Sequence, residues 1–342
     1  MDYCNILKDL CESHGVSGFE KQTAELMRKL IKPYCDYVEI DRLGNVSGFL
    51  SCGREDAPTV MLEAHIDQIG FLVSDVLEGG FLSFVPVGGV DSRMLPDAGV
   101  LILSQNVYKG VISCLPPHIL TKEERDKPFE QDSLAIDAGL TEEQAKKLIP
   151  VGTPVVFEGG FRNLAERFVS SPALDNRAGV LALLIALERL YNAERKANII
   201  IQGSVMEEKN LHGALTGAYR TMPDCAIAVD VTHAKTPDAP AGKTFAAGGG
   251  AMIGMGPNLQ RKLTKELIRI AEEKSIPHDF EVMEGSTGTN AWAMQIVSTG
   301  IPCALLSIPL KYMHTPVETV CFSDIEAVAD LICEFISGGA IC

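Results

Sequence analysis

The sequence is poor in aromatic residues and in positive charge. Aromatic side chains make up 6% of the chain, with a single tryptophan, and 30 lysines and arginines stand against 45 aspartates and glutamates, for a net charge of −15. A chain this acidic repels phosphate backbones and anionic lipid surfaces, so nucleic-acid and membrane partners are disfavoured. Apolar residues make up 46% of the chain, which excludes wholesale disorder and predicts a globular protein.

The sequence also lacks any Cys-x-x-Cys pair and any clear membrane segment. Most of its ten cysteines lie in apolar runs, where a reduced thiol behaves as a small hydrophobic group. We therefore expect free thiols in a reducing cytoplasm rather than disulfides or a zinc knuckle. The first residues offer no apolar signal core. The uncharged stretch 285–310 contains Gly288, Pro302 and Pro309, so we interpret it as a short helix, a turn and a strand.

The 342 residues suffice for one large or two modest domains. From residue 178 onward, helical and strand patterns alternate, which predicts an α/β domain with a mainly parallel sheet. Residues 72–160 differ, with many short apolar segments, frequent glycine and proline, and one clear helix at 142–148. We predict a β-rich, barrel-like insertion at 72–160 that splits the α/β domain into residues 1–71 and 161–342.

The first motif that can carry chemistry follows the apolar run 59–64. His65 stands at the predicted end of a buried strand, where open α/β sheets place ligand sites. Asp67 faces the same side two residues later, and a carboxylate there can orient a metal-binding histidine. A hydrogen-bonded core histidine with a turn aspartate is the alternative interpretation.

Two further motifs contain acidic residues beside predicted elements. Asp175-Asn176 precedes an apolar helix, so Asp175 could bridge two metal ions with its two oxygens or could simply cap the helix. Glu207-Glu208 follows the strand 197–205, and adjacent carboxylates there are costly unless a cation or solvent compensates them. One of the pair could ligate a metal while its neighbour faces a water molecule. A solvated loop pair is the alternative.

The remaining candidates are Asp230, at a predicted strand end, and His314, just past another buried strand. Taken singly, each is more often structural. Together with the earlier candidates they make a set of two imidazoles and three carboxylates beside ends of α/β elements. Such a set would give two zinc-like ions three protein ligands each, and two ions about 3.5–4 Å apart can polarise a carbonyl and activate a bridging water.

These motifs, in this order, resemble the tetrahedral aminopeptidase family, di-metal peptidases that include glutamyl and leucyl aminopeptidases and proteins labelled endoglucanase M. The resemblance covers nearly the whole chain. It also includes three shorter segments, Gly88–Asp91, Lys109–His118 and Gly288–Ala291.

The resemblance implies a role for each candidate residue. His65 and Asp230 would hold one metal ion, Glu208 and His314 the other, and Asp175 would bridge them. Glu207 matches the general base, and Asp67 matches the partner that orients His65. The resemblance further implies that the insertion is a dimerisation domain and that the subunits form a homo-oligomer, commonly a dodecamer.

Four positions depart from the family pattern. Gln68 stands where the family usually has glutamate, Asn290 where it usually has aspartate, and Lys209 and His212 fall in a segment that is usually Val-Gly-Leu-Arg-Gly. We expect these differences to bear on the charge of the substrate subsites.

Our hypothesis from the sequence is removal of N-terminal residues from short peptides by a hydroxide that bridges two divalent ions. Glu207 would take the proton from the water and pass it to the leaving amine. Zinc is the expected metal, and cobalt or manganese also accept histidine and carboxylate ligands.

Two alternatives remain. A glucanase would need two carboxylates flanking the scissile bond and no metal pair. Its groove would also favour aromatic platforms, and this chain has only one tryptophan, Trp292. A non-catalytic scaffold with the same fold would assemble but show no chelator-sensitive peptidase activity.

Overall fold

The computed structural model describes residues 2–116, 118–119, 121, 133–237, 239–240 and 242–338. Within them lie eight α-helices: α1 (Tyr3–Glu12), α2 (Lys21–Ile31), α3 (Glu142–Leu148), α4 (Leu174–Tyr191), α5 (His212–Thr221), α6 (Arg261–Lys274), α7 (Asn290–Met294) and α8 (Phe322–Gly338). The described strands are β1 (Tyr37–Ile40), β2 (Val46–Leu50), β3 (Thr59–His65), β4 (Gly70–Val76), β5 (Leu82–Val87), β6 (Gly99–Leu103), β7 (Val107–Ser113), β8 (Ala135–Asp137), β9 (Pro154–Phe157), β10 (Arg162–Asn163), β11 (Phe168–Ser170), β12 (Asn198–Ser204), β13 (Cys225–His233), β14 (Ala251–Met255), β15 (His278–Val282), β16 (Cys303–Lys311) and β17 (Thr319–Cys321).

Eleven strands form one mixed sheet. Along its main path the order is β1-β2-β12-β3-β13-β16-β17-β11-β10, and β14 attaches to β16 and carries β15. The central strands β12, β3, β13 and β16 run parallel to one another. These strands are apolar almost throughout because helices cover both of their faces.

The main hydrophobic core lies between one face of the sheet and helices α1, α2, α4, α6 and α8, and a smaller core lies under α5 and α7 on the other face. Helix α4 is the centre of the larger core, since every side chain from Leu174 to Leu187 is buried. An apolar helix with no solvent face fits this position between the sheet and the outer helices.

Residues 70–157 contain a closed barrel of six strands in the order β4-β5-β8-β7-β6-β9. The barrel has its own apolar core, in which Phe71 packs edge-on against Phe84 and Phe157. Because Phe71 belongs to this core, the first barrel strand begins at Gly70, two residues before the predicted start of the insertion.

The mixed α/β fold with a parallel sheet centre and an inserted barrel is confirmed. The nine described cysteines are free thiols, and the tenth, Cys342, lies outside the described residues. Pro117 of the Lys109–His118 segment also lies outside them. The uncharged stretch 285–310 contains α7, a turn and most of β16. Within the described ranges, every helix falls short of the length and apolar character needed to cross a bilayer.

Candidate metal centre and substrate cavity

The central parallel strands bring the candidate side chains to one edge of the sheet. His65 is the last residue of β3, and the loop carrying Glu207 and Glu208 follows β12, its parallel neighbour. Asp230 is not at a strand end, because β13 still pairs with β16 as far as His233, but the pairing of β13 with β3 stops at Ala228. Asp230 therefore lies just past the last β13–β3 pair, level in register with His65, and faces the same edge.

One group of possible ligands consists of His65, Asp175 and Asp230, whose ligand atoms all lie within 4.8 Å of one another. The Nε2 atom of His65 is 3.1 Å from Oδ1 of Asp175 and 3.7 Å from Oδ1 of Asp230. All three residues are buried. Unpaired carboxylates are rarely buried, so this group favours a positively charged occupant.

A second group consists of Asp175, Glu208 and His314, again with ligand atoms within 4.8 Å. The Nε2 atom of His314 is 3.3 Å from Oδ2 of Asp175 and 3.1 Å from Oε1 of Glu208. Each oxygen of Asp175 thus faces a different histidine. This is the arrangement that a carboxylate shared between two ions requires.

The capping interpretation of Asp175-Asn176 applies to the second residue. Asn176 accepts a hydrogen bond at Oδ1 from the Gly179 amide and donates through Nδ2 to the Val229 carbonyl. Asn176 therefore caps the regular part of α4 and ties it to β13, which leaves the Asp175 carboxylate free for the site.

The hydrogen bonds at Nδ1 decide which nitrogen each histidine presents to the site. His314 Nδ1 is 2.8 Å from the Gly89 carbonyl oxygen, and His65 Nδ1 is 3.2 Å from the Asp67 carbonyl oxygen. A carbonyl only accepts, so both Nδ1 atoms carry a proton, and Nε2 is the nitrogen that each histidine presents to the site.

Gly89 belongs to the Gly88–Asp91 segment that follows barrel strand β5, so the inserted barrel helps to orient His314. The approach is close. Gly88 has a φ of +86°, and a Cβ there would lie 2.5 Å from Ile69 Cγ2 and 3.1 Å from Glu208 Oε2. Only glycine fits this combination of backbone conformation and space.

Asp67 anchors the loop that carries the paired glutamates. Its carboxylate accepts hydrogen bonds from the Glu207 amide at 3.0 Å, the Glu208 amide at 3.1 Å and the Ser17 hydroxyl at 2.6 Å. Its Oδ1 also lies 3.4 Å from Nδ1 of His65. Asp67 therefore positions both the histidine and the following loop without facing the possible metal positions.

Glu318 performs the same task for the second group, and the sequence motifs assigned it no role. Its Oε2 accepts from the Asp175 amide at 3.0 Å and its Oε1 from the His314 amide at 2.8 Å, with only 2% of the residue exposed. Its place four residues after His314 was the one available signal, because residues that follow a ligand in a short loop can bond back to its backbone.

The concentration of negative charge perturbs the titration of these groups. Burial raises the pKa of Glu207 to about 9, with His65 opposing the shift and the negative charges of Asp230, Glu208 and Asp175 adding to it. Burial lowers the pKa of His314, but hydrogen bonds to Asp175 and Glu208 outweigh it and bring the value to about 11. Acids that resist ionisation beside histidines that retain protons indicate a site built for positive charge.

The donor set fits two divalent ions. Imidazole nitrogens and carboxylate oxygens suit zinc and similar metals, each group supplies three side chains, and three protein ligands leave a coordination position for water or substrate. The same side chains are the five that the sequence motifs put forward as ligands.

A cavity of about 300 Å³ opens over the two groups. Glu207 lines it without belonging to either group, beside Val231, Thr232 and Glu281. Glu281, on β15, was missed from the sequence because it lies mid-strand in an unremarkable polar pattern. Burial raises the pKa of Glu281, and hydrogen bonds from Thr232 and Ser307 oppose that shift.

None of the four positions that depart from the family pattern lines the described cavity. Gln68 accepts a hydrogen bond from the Gly15 amide, and Asn290 donates to Glu63 and Ser204, all three of which are buried. Lys209 and His212 are exposed. The residues that line the cavity are therefore the first candidates for contact with the substrate side chain.

The family assignment follows from comparison with known proteins. A family model described as the M42 glutamyl aminopeptidase matches residues 44–331, most of the chain. The chain belongs to the M42 glutamyl aminopeptidase family. As an M42 protein it is a metal-dependent hydrolase of the aminopeptidase class, which removes N-terminal residues.

M42 relatives resemble the chain over almost its full length. The lysyl aminopeptidase of Pyrococcus furiosus is 35% identical over 327 residues, which cover 94% of this chain and 93% of the relative. The structure of an aminopeptidase from Desulfurococcus kamchatkensis has a TM-score of 0.92 at 34% identity, covering 98% and 94% of the two chains. The TET1 peptidase of Pyrococcus horikoshii, which can assemble into a tetrahedron or an octahedral shell, has a TM-score of 0.85 at 29% identity, covering 98% and 100%.

Proposed function

We propose that the protein is a di-metal aminopeptidase that removes N-terminal residues from short peptides. The observation that carries the proposal is the position of Asp175, whose two oxygens face separate histidines and so divide the site into two ligand groups. His65 and Asp230 would complete one group, and Glu208 and His314 the other. Bound divalent ions would supply Lewis-acid polarisation of the scissile carbonyl and lower the pKa of water.

Glu207 is the proposed general base. It lines the cavity but lies outside both ligand groups, and the hydrogen bond from its amide to Asp67 fixes its backbone. From there its carboxylate would take the proton from the attacking water and pass it to the departing amine. Because Glu208 comes next in the chain, ligation and proton transfer are divided between neighbouring side chains.

Asp67 and Glu318 are proposed as positioning residues rather than ligands. Both are buried, and their oxygens accept from backbone amides of residues that carry the proposed ligands or the base. Residues that orient metal ligands typically change metal affinity or activity about 10- to 100-fold when replaced.

The proposal extends to the division of the chain and its assembly. Residues 72–160 would serve as the dimerisation domain, and the catalytic domain would consist of residues 1–71 and 161–342. We propose a homo-oligomer, by family resemblance a dodecamer, and the tetrahedral assembly described for the Pyrococcus horikoshii TET1 peptidase supports this proposal. We propose zinc as the resident metal and the cytoplasm as the location.

The decisive experiment compares wild type with Glu207→Gln after loading with zinc, cobalt or manganese. We expect the variant to bind metal as wild type does while kcat on aminoacyl 4-nitroanilides falls about 10²-fold or more. Glu194→Gln, at an exposed position, is the matched control and should retain full activity. Near-normal turnover in the Glu207 variant would exclude it as the base.

The same preparation separates the alternatives. A peptidase loses 4-nitroanilide hydrolysis on chelation and recovers it when metal is returned. A glucanase would instead release reducing ends from carboxymethylcellulose with or without chelator, and a scaffold would do neither.

A further inference from the structure

The cavity extends past the two ligand groups along β13 and β15. Beyond Asp230 its lining includes Val231, Thr232 and His233 of β13, Glu281 of β15 and the loop Thr287–Thr289. This part of the cavity contributes nothing to the proposed metal positions, so it is available for the substrate.

Glu281 is held in place by two hydroxyl groups. Thr232 donates to its Oε1, and Ser307 donates to its Oε2 at 2.7 Å. Within the described residues Glu281 has no ion pair, and the lining described for the cavity includes no lysine or arginine. A carboxylate fixed by neutral donors on a cavity wall keeps its capacity to bind a cation.

The charge balance singles out the same residue. Asp175, Glu208, Asp230 and Glu207 would together carry a charge of −4 when ionised, which two divalent ions would offset. Glu281 is then the one carboxylate of the described cavity lining whose charge the two ions would not offset. A substrate with an anionic side chain would meet repulsion there, and one with a cationic side chain would meet attraction.

The rise per residue along β13 gives the approximate distance from Asp230 to Thr232, the residue that donates to Glu281. Thr232 is two residues beyond Asp230 on β13, and strands rise about 3.3 Å per residue, so their Cα atoms are about 6–7 Å apart. A lysine ammonium on its four-carbon stem reaches about 6 Å from its Cα. The α-ammonium is attached directly to the Cα, so it would remain near the metal positions when the scissile carbonyl is there.

We propose that Glu281 determines substrate preference by binding the cationic side chain of an N-terminal lysine or arginine. The inference depends on the proposed function, because it assumes that the scissile carbonyl is held over the two ligand groups. The occupant it requires is an ammonium or guanidinium group in the cavity beside Glu281 and Thr232.

The test compares lysyl and norleucyl 4-nitroanilides, whose side chains share four carbons and differ by the ammonium group. A charge-assisted hydrogen bond predicts that wild type prefers lysyl over norleucyl substrate about 10- to 100-fold in kcat/KM. In Glu281→Gln this ratio should fall at least about tenfold. Glu284→Gln removes the same charge from an exposed position near the end of β15 and should leave the ratio as in wild type.

Binding of the free amino acids provides a readout that does not need turnover. Calorimetry on metal-loaded protein should show tighter binding of L-lysine than of L-norleucine, and the difference should disappear in Glu281→Gln. Because each variant is judged by the ratio of two ligands, a general loss of folded protein does not imitate the expected result.

An unchanged lysine-to-norleucine ratio in Glu281→Gln would overturn the inference. If Glu281→Gln loses activity equally on both substrates, the ratio is again unchanged and the inference fails. Glu281 would then bind the α-ammonium or support the cavity wall. If metal-loaded wild type cleaves none of the substrates, the proposed function fails, and the calorimetric comparison still decides the role of Glu281.

Discussion

Replacing Glu318 is expected to loosen both ligand groups at once. Its two oxygens accept from the amides of Asp175 and His314, and the residue is 2% exposed. Burial and the charge of Asp175 raise the pKa of Glu318 well above its usual range, while the two amide donors favour the ionised form. The side chain is thus held at some electrostatic cost, and the backbone geometry of two proposed ligands depends on it.

The magnitude follows from the donors left behind. In Glu318→Ala the buried amide of Asp175 and the partly buried amide of His314 lose their acceptors, at about 1–3 kcal/mol each, so unfolding should become easier by about 2–6 kcal/mol. Glu318→Gln keeps one oxygen, so one amide retains its acceptor and the expected loss is about half as large. Glu334→Gln breaks only a surface pair with Lys274 and should cost less than about 1 kcal/mol.

Urea unfolding at one protein concentration measures these differences, because subunit association would otherwise shift the midpoint. Metal affinity of the folded Glu318→Gln variant is the second readout, and we expect it to fall about 10- to 100-fold. A loss below about 1 kcal/mol in the alanine variant, or wild-type metal affinity in the glutamine variant, would refute the reasoning.

Two further predictions concern the same centre. Asp67→Asn leaves one oxygen for three donors and for His65, so metal affinity or kcat should fall about 10- to 100-fold in a metal-titrated 4-nitroanilide assay. Asp75→Asn at an exposed position should change neither, and the same result for Asp67→Asn would contradict its positioning role. Chelation should lower Tm as well as activity, since metal at 100 times its Kd adds about 2.7 kcal/mol to the folded state. Calorimetric scans with and without chelator measure this, and an unchanged Tm would argue against ions bound between buried carboxylates.

The elements that the sequence predicted well are those with strong local periodicity. Strand β3 and helix α4 have apolar patterns that fit only buried elements, and their bounds differ from prediction by a few residues. Asp230 shows the limit of this approach. The apolar run suggested a strand end nearby, but β13 continues to His233 because β16 remains its partner there.

The candidate metal ligands could be proposed from the sequence because histidines and carboxylates beside buried strands are chemically conspicuous. Glu281 and Glu318 were not conspicuous. Glu281 lies about fifty residues from Thr232 along the chain and reaches the cavity only because β15 pairs with β14, and β14 with β16.

The sequence by itself determined the fold class, the residue types of the site and their order along the chain, because each depends on local pattern and side-chain chemistry. The tertiary structure decided how Asp175 divides its oxygens between two histidines, which nitrogens those histidines present, and which carboxylate stands on the substrate wall. The deficit of positive charge noted at the outset has its structural counterpart here. Acidic residues far apart in the chain converge at one sheet edge, since the carboxyl ends of parallel strands meet there, and the cations that would balance them have to be bound.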